Sequence, residues 1–178
     1  MSRLADIREQ DATGKTADLF AAMRKMMGKV PNTYLAIGGH APEVMAQALQ
    51  HNAMLHKSSL SKREQEAINL AVSEATGCDY CLAAHTMMAK MAGYTPEQVK
   101  ALRRGDYPED AHLDALVKFV QKVVSTRNTL PEADVSAFRN AGFNDQQVIE
   151  TLSAVSAILF TNMVNRVIDP VIDFPKAE

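Results

Sequence analysis

Tryptophan is absent from this 178-residue chain, aromatics reach only 6%, and there are just two cysteines. The scarcity of aromatics thins out the residue mix that favours strands, while ten methionines and many alanines favour helices. Two cysteines in a reducing compartment point to catalysis or metal binding rather than to a structural staple. Neither sign of charge dominates: 19 Lys and Arg stand against 21 Asp and Glu, a net of -2. That balance leaves no basic footprint for nucleic acid and no reason to expect a tight polyanion partner. Long hydrophobic runs are missing too. The most apolar stretch, Leu152 to Phe160, contains two serines and is too short to cross a bilayer. No linker rich in Pro, Gly or Ser interrupts residues 1–178, which read as a single domain. Met1 to Lys15 is polar and lacks the apolar core of a secretory signal. A soluble, cytoplasmic protein without a membrane partner is therefore expected.

What is present is the punctuation of successive helices, about eight of them, and an all-α domain is expected. Thr16 to Met27 reads as the first, closed by Gly28, and Pro42 to Lys57 as the second. Ser61 with Glu64 forms a capping box that opens a third helix, which Gly77 stops. A fourth runs from about Cys78 to Ala92. A fifth starts at Thr95 and Pro96, a sixth spans Pro108 to about Arg127, a seventh Pro131 to Asn140, and the last Asn144 to about Asp169. Gly93-Tyr94-Thr95 with Gln98 echoes Gly142-Phe143-Asn144 with Gln147: a stop, an aromatic, a cap and a capping-box Gln.

The chemistry gathers on the fourth helix. At about 100° per residue, Cys78, Cys81, Leu82, His85, Met88, Ala89 and Ala92 share one face, with Asp79, Thr86 and Lys90 opposite. Tyr80, Ala84, Met87 and Met91 make an apolar flank, so the helix is expected to pack on two sides. Cys78 and Cys81 stand three apart at the helix start, near enough for a disulfide, and His85 lies one turn beyond Cys81. A CxxC dithiol at a helix N-terminus commonly has one acidic thiol, since free N–H groups and the dipole favour the thiolate. A neighbouring imidazole accepts the proton. Three readings fit these residues: a redox or peroxide-reactive dithiol, a zinc site lacking its fourth ligand, and a pair of inert buried thiols beside a core histidine.

These residues resemble the alkylhydroperoxidase D-like (AhpD-like) family of the carboxymuconolactone decarboxylase superfamily. Its redox members carry a Glu, eleven residues, then Cys-x-x-Cys-x-x-x-His; here Glu66, Cys78, Cys81 and His85 stand at that spacing. The sharp match spans Leu60 to Gly93, and a looser helical correspondence spans Pro42 to Asp169. The resemblance implies an all-helical fold assembled as trimers or hexamers. It also implies peroxidase or disulfide reductase activity, with the four residues forming a proton relay around the dithiol. Decarboxylase members lack the cysteine pair, so its presence argues against that reaction. The implied partners are a hydroperoxide and an external dithiol, thioredoxin-like or lipoyl donor, with no cofactor and no metal. Two features depart from the pattern. Some peroxidase members have a His just before the second Cys, where this chain has Tyr80. Helical projection also sets Glu66 opposite Ile68, Ala71, Val72 and Ala75, as a solvated residue, and only the resemblance brings it into the site.

Elsewhere His40, His51, His56 and His112 read as structural or surface histidines. Met23, Met26 and Met27 read as core or interface filler, and Asn162, Asn165, Arg166 and Asp169 as a polar stripe without assigned chemistry.

Overall fold

Side-chain caps set where several helices begin. Ser61 accepts from the Glu64 N–H while Glu64 accepts from the Ser61 N–H, and Thr95 with Gln98 and Asn144 with Gln147 repeat the arrangement. The echo seen in the sequence is thus structural: Gly93 and Gly142 both take left-handed φ, 90° and 102°, and the following Tyr94 and Phe143 are both buried.

The computed structural model describes residues 2–177; Met1 and Glu178, the outermost positions of the domain expected from sequence, lie outside the described residues. Nine α-helices are formed among them: α1 (Gly14–Met27), α2 (Asn32–His40), α3 (Pro42–Leu55), α4 (Lys62–Thr76), α5 (Asp79–Met91), α6 (Pro96–Arg104), α7 (Ala111–Ser125), α8 (Glu132–Asn140) and α9 (Asp145–Ile168). A single 3-10 turn, Glu9–Asp11, precedes them. The class is all-α, as expected.

Helix α2 is the addition to the sequence reading. Gly38 and Gly39 look like a helix break, but they serve close packing. A Cβ on Gly38 would run into Met45 and Phe20, and one on Gly39 into Ile7. Gly38 lets α2 settle against α1 and α3, where Phe20, Met23, Val30, Ile37 and Met45 form a small core, and Gly39 admits the segment before α1. Helix α7 starts later than expected, because Asp110 caps it by accepting from the N–H groups of His112 and Leu113.

Helix α4 is the axis of the larger core and packs against α5, α6, α7 and α9. Ala67, Ile68, Leu70, Ala71 and Val72 are fully buried along it. Each large aliphatic so buried stabilises the fold by about 1.5–3 kcal/mol. Glu66 is buried as well, and Ala75, near the helix end, is exposed. The projection that sent Glu66 to solvent fails for a physical reason: a helix enclosed by four others has no single solvent face along its middle.

Helix α9 alone among the described residues is long and apolar enough, by length and composition, to cross a membrane (24 residues, with an 18-residue stretch of mean hydropathy 1.3). Its inward face buries Thr151, Ala154, Val155, Ile158, Asn162, Asn165 and Ile168 in the fold. Its outward face leaves Ile149, Met163 and Val167 exposed.

Candidate active site around the Cys78–Cys81 pair

Gly77 ends α4 in the left-handed conformation (φ 66°), and the chain re-enters a helix within two residues. Cys78 is the N-cap of α5; its sulfur accepts the backbone N–H of Cys81 at 3.3 Å. The two cysteines are joined as a disulfide with their Cα atoms 5.3 Å apart. They are 1% and 3% exposed, so the pair is covered by surrounding structure.

Glu66 and His85 are brought together from α4 and α5. The Nδ1–H of His85 donates to Glu66 Oε2 at 2.9 Å, because a carboxylate can only accept. That bond fixes the tautomer: a neutral ring then presents the Nε2 lone pair. Among the described residues no hydrogen bond joins the imidazole to either sulfur. Proton exchange between ring and thiol therefore needs a bridging water or a small reorientation.

Tyr80 stands just before the second cysteine, and its ring is buried. Its hydroxyl donates to Asp173 Oδ1 at 2.5 Å and accepts the Thr33 N–H at 3.4 Å. Burial first, and then the neighbouring Asp173 carboxylate, push the phenol pKa well above its ordinary value. Tyr80 is therefore a fixed neutral donor rather than a proton carrier. Lys29 ties down the same carboxylate at 2.9 Å and lies 4.0 Å over the Phe174 ring. Phe174 meets the Tyr80 ring edge-on at 5.6 Å. The C-terminal segment is thus strapped across the start of α5.

Sequence reasoning left Asn165 without a role. Its Nδ2 donates to the sulfur of Cys81 at 3.2 Å, while its Oδ1 accepts the Thr33 hydroxyl at 2.6 Å. Thr33 lies on α2, which was not expected, so the convergence was legible only as a polar i, i+3 pair, Asn162 and Asn165, on an otherwise apolar helix. Asn162 donates to Thr76 Oγ1 at 2.8 Å and ties α9 to the end of α4.

The projected faces of α5 need one correction. Thr86 is buried rather than solvent-facing, since α5 is flanked by α4, α6 and α9; Asp79 and Lys90 are exposed as expected. Of the flank residues, Tyr80 and Ala84 are buried and Met91 is 71% exposed.

The other histidines stand apart from this cluster. His40 pairs with the Ala5 carbonyl, His51 with Ser153, and His56 is exposed. His112 bridges Glu64 and the Ala141 carbonyl and stacks on Phe143 at 3.9 Å. Met23 is core, whereas Met26 is 63% exposed. Among the described residues no three His, Cys, Asp or Glu side chains are grouped to hold a metal ion.

Comparison with known proteins bears on this geometry. No curated protein matches the chain. The fold matches a solved alkylhydroperoxidase AhpD core, an uncharacterized peroxidase-related protein from Ralstonia eutropha JMP134. The TM-score is 0.84 at 22% identity, covering 98% of this chain and 92% of that one. A peroxidase-related protein from Silicibacter sp. TM1040 matches with TM-score 0.81 at 24% identity, covering 96% and 92%. The debrominase Bmp8, solved as a cysteine-to-alanine variant with 2,3,4-tribromopyrrole, matches with TM-score 0.82 at 17% identity, covering 97% and 94%. Residues 42–112 match the model of the carboxymuconolactone decarboxylase family, and this segment carries Glu66, Cys78, Cys81 and His85. That segment is similar to the carboxymuconolactone decarboxylase family, and the fold of the chain is the AhpD-like one.

Proposed function

We propose that this protein is a thiol-dependent peroxidase that reduces hydroperoxides through the Cys78–Cys81 pair. One observation carries the reading: a bonded cysteine pair at the N-terminus of a helix, with a carboxylate-oriented imidazole one turn further along it.

In the reduced protein the Cys81 thiolate attacks the terminal oxygen of the hydroperoxide. The O–O bond breaks, an S–O bond forms, and the alkoxide leaves as an alcohol after taking a proton. Cys81 becomes a sulfenic acid. The Cys78 thiol then attacks that sulfur, giving the disulfide and releasing water. An external dithiol returns both electrons and two protons by exchange and becomes a disulfide itself. His85 serves as the base for the attacking thiol, through Nε2 and a bridging water, and Glu66 holds the ring in that tautomer. Cys81 is preferred to Cys78 as the attacking sulfur because His85 follows it by one turn on the same helix.

The test is consumption of an organic hydroperoxide with dithiothreitol as donor. Wild type should turn over, and Cys78→Ser and Cys81→Ser should not. After one equivalent of peroxide, mass spectrometry should find sulfenic acid on Cys81 in the Cys78→Ser variant. Sulfenic acid only on Cys78, in the Cys81→Ser variant, would reverse the order of attack. Equal consumption by wild type and the cysteine variants would remove the peroxidase reading.

A second reading is favoured by the burial of both sulfurs. A pair so enclosed would oxidise slowly and act as a redox sensor. Stoichiometric oxidation without turnover, under any dithiol donor, would select it.

A further inference from the structure

We propose that Asn165 stabilises the thiolate of Cys81, and that Thr33 is the positioning residue that aims its amide at the sulfur. The inference rests on the dithiol reading above and adds to it residues from α2 and α9.

The geometry assigns the direction of each bond. Asn165 is 5% exposed and Thr33 only 2%, so their polar atoms must be satisfied within the protein. The Thr33 hydroxyl lies 2.6 Å from Asn165 Oδ1, and an amide oxygen can only accept. The opposite end of the amide, Nδ2, then necessarily offers N–H to Cys81 Sγ, 3.2 Å away. A disulfide sulfur is a weak acceptor, and a thiol little better. A thiolate is a strong one. The contact therefore gains most when Cys81 is ionised, so it lowers the cost of losing the proton. An apolar residue at this place would fill the space and leave a buried anion without a donor.

Apart from His85, which takes the proton, the surrounding charges do not account for the same effect. Glu66 is engaged with His85, and Asp173 is engaged by Tyr80 and Lys29. Asp79, next to Cys78, is exposed and carries the sign that disfavours a thiolate. The two sulfurs also receive different donors. Cys78 has the backbone N–H of Cys81, available in any helix start. Cys81 has a side-chain amide recruited from elements distant in sequence, which marks it as the sulfur the fold is arranged to ionise.

The experiment measures the pH dependence of Cys81 alkylation by iodoacetamide in the full chain carrying Cys78→Ser. Asn165→Leu should raise the midpoint by about one to two units. At pH values below both midpoints alkylation then slows about ten- to a hundredfold, with the limiting rate at high pH unchanged. Asn165→Asp should raise the midpoint at least as far, since an anion replaces the donor. Thr33→Val should give a smaller rise, and Thr33→Ser should restore the wild-type value. If Asn165→Leu fails to fold, Asn165→Asp and Thr33→Val carry the test, with circular dichroism confirming their helix content. An unchanged midpoint in the folded variants overturns the inference. So does a loss of rate that is equal at every pH, because it would reflect access rather than ionisation. Failure here is separable from failure of the peroxidase reading. A shifted midpoint in a protein that consumes no hydroperoxide removes that reading and leaves this one. Turnover with an unshifted midpoint does the reverse.

Discussion

Glu66 and His85 lie nineteen residues apart in the chain and meet at 2.9 Å, carboxylate to Nδ1–H, across the contact between α4 and α5. The bond decides which imidazole nitrogen is left to act. Breaking it should cost reactivity without unfolding the protein. Glu66→Gln keeps the shape, but its amide can present N–H to the ring and so favour the wrong tautomer. Peroxide-driven oxidation of the dithiol at neutral pH should fall on the order of a hundredfold, in both Glu66→Gln and His85→Ala. Stopped-flow measurement from pH 6 to about pH 10 checks it. The deficit should narrow at high pH, where the thiol ionises without help; a loss constant across the range would remove the base role.

His112 and its partner Glu64 make stability depend on pH. Its two ring nitrogens face acceptors only, Glu64 Oε1 at 2.9 Å and the Ala141 carbonyl at 2.8 Å, so the imidazolium satisfies both. Burial opposes that charge, but the Ala141 carbonyl and then Glu64 outweigh it and hold the pKa above its ordinary 6.5. For Glu64, burial is likewise outweighed, by hydrogen bonds from Ser61 and His112, and its pKa falls below 4.5. The sign follows for each group. The histidine's contribution is complete below about 6.5 and disappears as pH rises through its folded value. The carboxylate's is complete above 4.5 and disappears as pH falls through its folded value. The wild-type advantage over His112→Gln in urea midpoint should therefore be largest between these limits and shrink on both sides. A difference that grows above neutrality would contradict it.

Tyr80→Phe tests the strap over α5. The variant keeps the ring contact with Phe174 but loses the hydroxyl that donates to Asp173 and accepts from the Thr33 N–H. Stability should fall by about 2–4 kcal/mol, the usual net value of two such bonds, one of them to a carboxylate. Amide hydrogen exchange between Val171 and Phe174 should quicken more than in α4, as read by mass spectrometry. Unchanged exchange in that segment would mean that the remaining ties, from Lys29, Asn32 and the ring contact, hold it without the hydroxyl.

Gly38→Ala should destabilise by about 1–3 kcal/mol through overpacking, despite alanine's better helix propensity. The added methyl meets Met45 and Phe20, which are themselves 0% and 1% exposed and have little room to yield. Urea denaturation followed by circular dichroism measures it. A stabilised variant would show that the interface of α1, α2 and α3 can relax.

Much of the site was legible because it is local. Cys78, Cys81 and His85 sit on one helix at fixed spacing, and Gly77 announces its start, so chain geometry alone joins the two sulfurs and places the imidazole a turn away. Capping boxes at Ser61, Thr95 and Asn144 likewise lie within four residues, and all form. Glu66 was placed by its resemblance to a family pattern and not by its own helix, whose periodicity pointed it towards solvent. Helix α2 was hidden because a Gly-Gly pair has the same appearance whether it breaks a helix or lets one pack closely.

The sequence by itself determined the helices other than α2, the capping boxes and the dithiol at the head of α5, because each depends on neighbours a few residues away. Only the tertiary structure decided what faces the sulfurs. Asn165, Thr33, Asp173 and Lys29 come from separate parts of the chain and meet where α2, α5, α9 and the C-terminal segment converge. The physical reason is that a hydrogen bond is satisfied by whatever the packing of distant helices brings within about 3 Å, and no pattern of spacing along one helix records that.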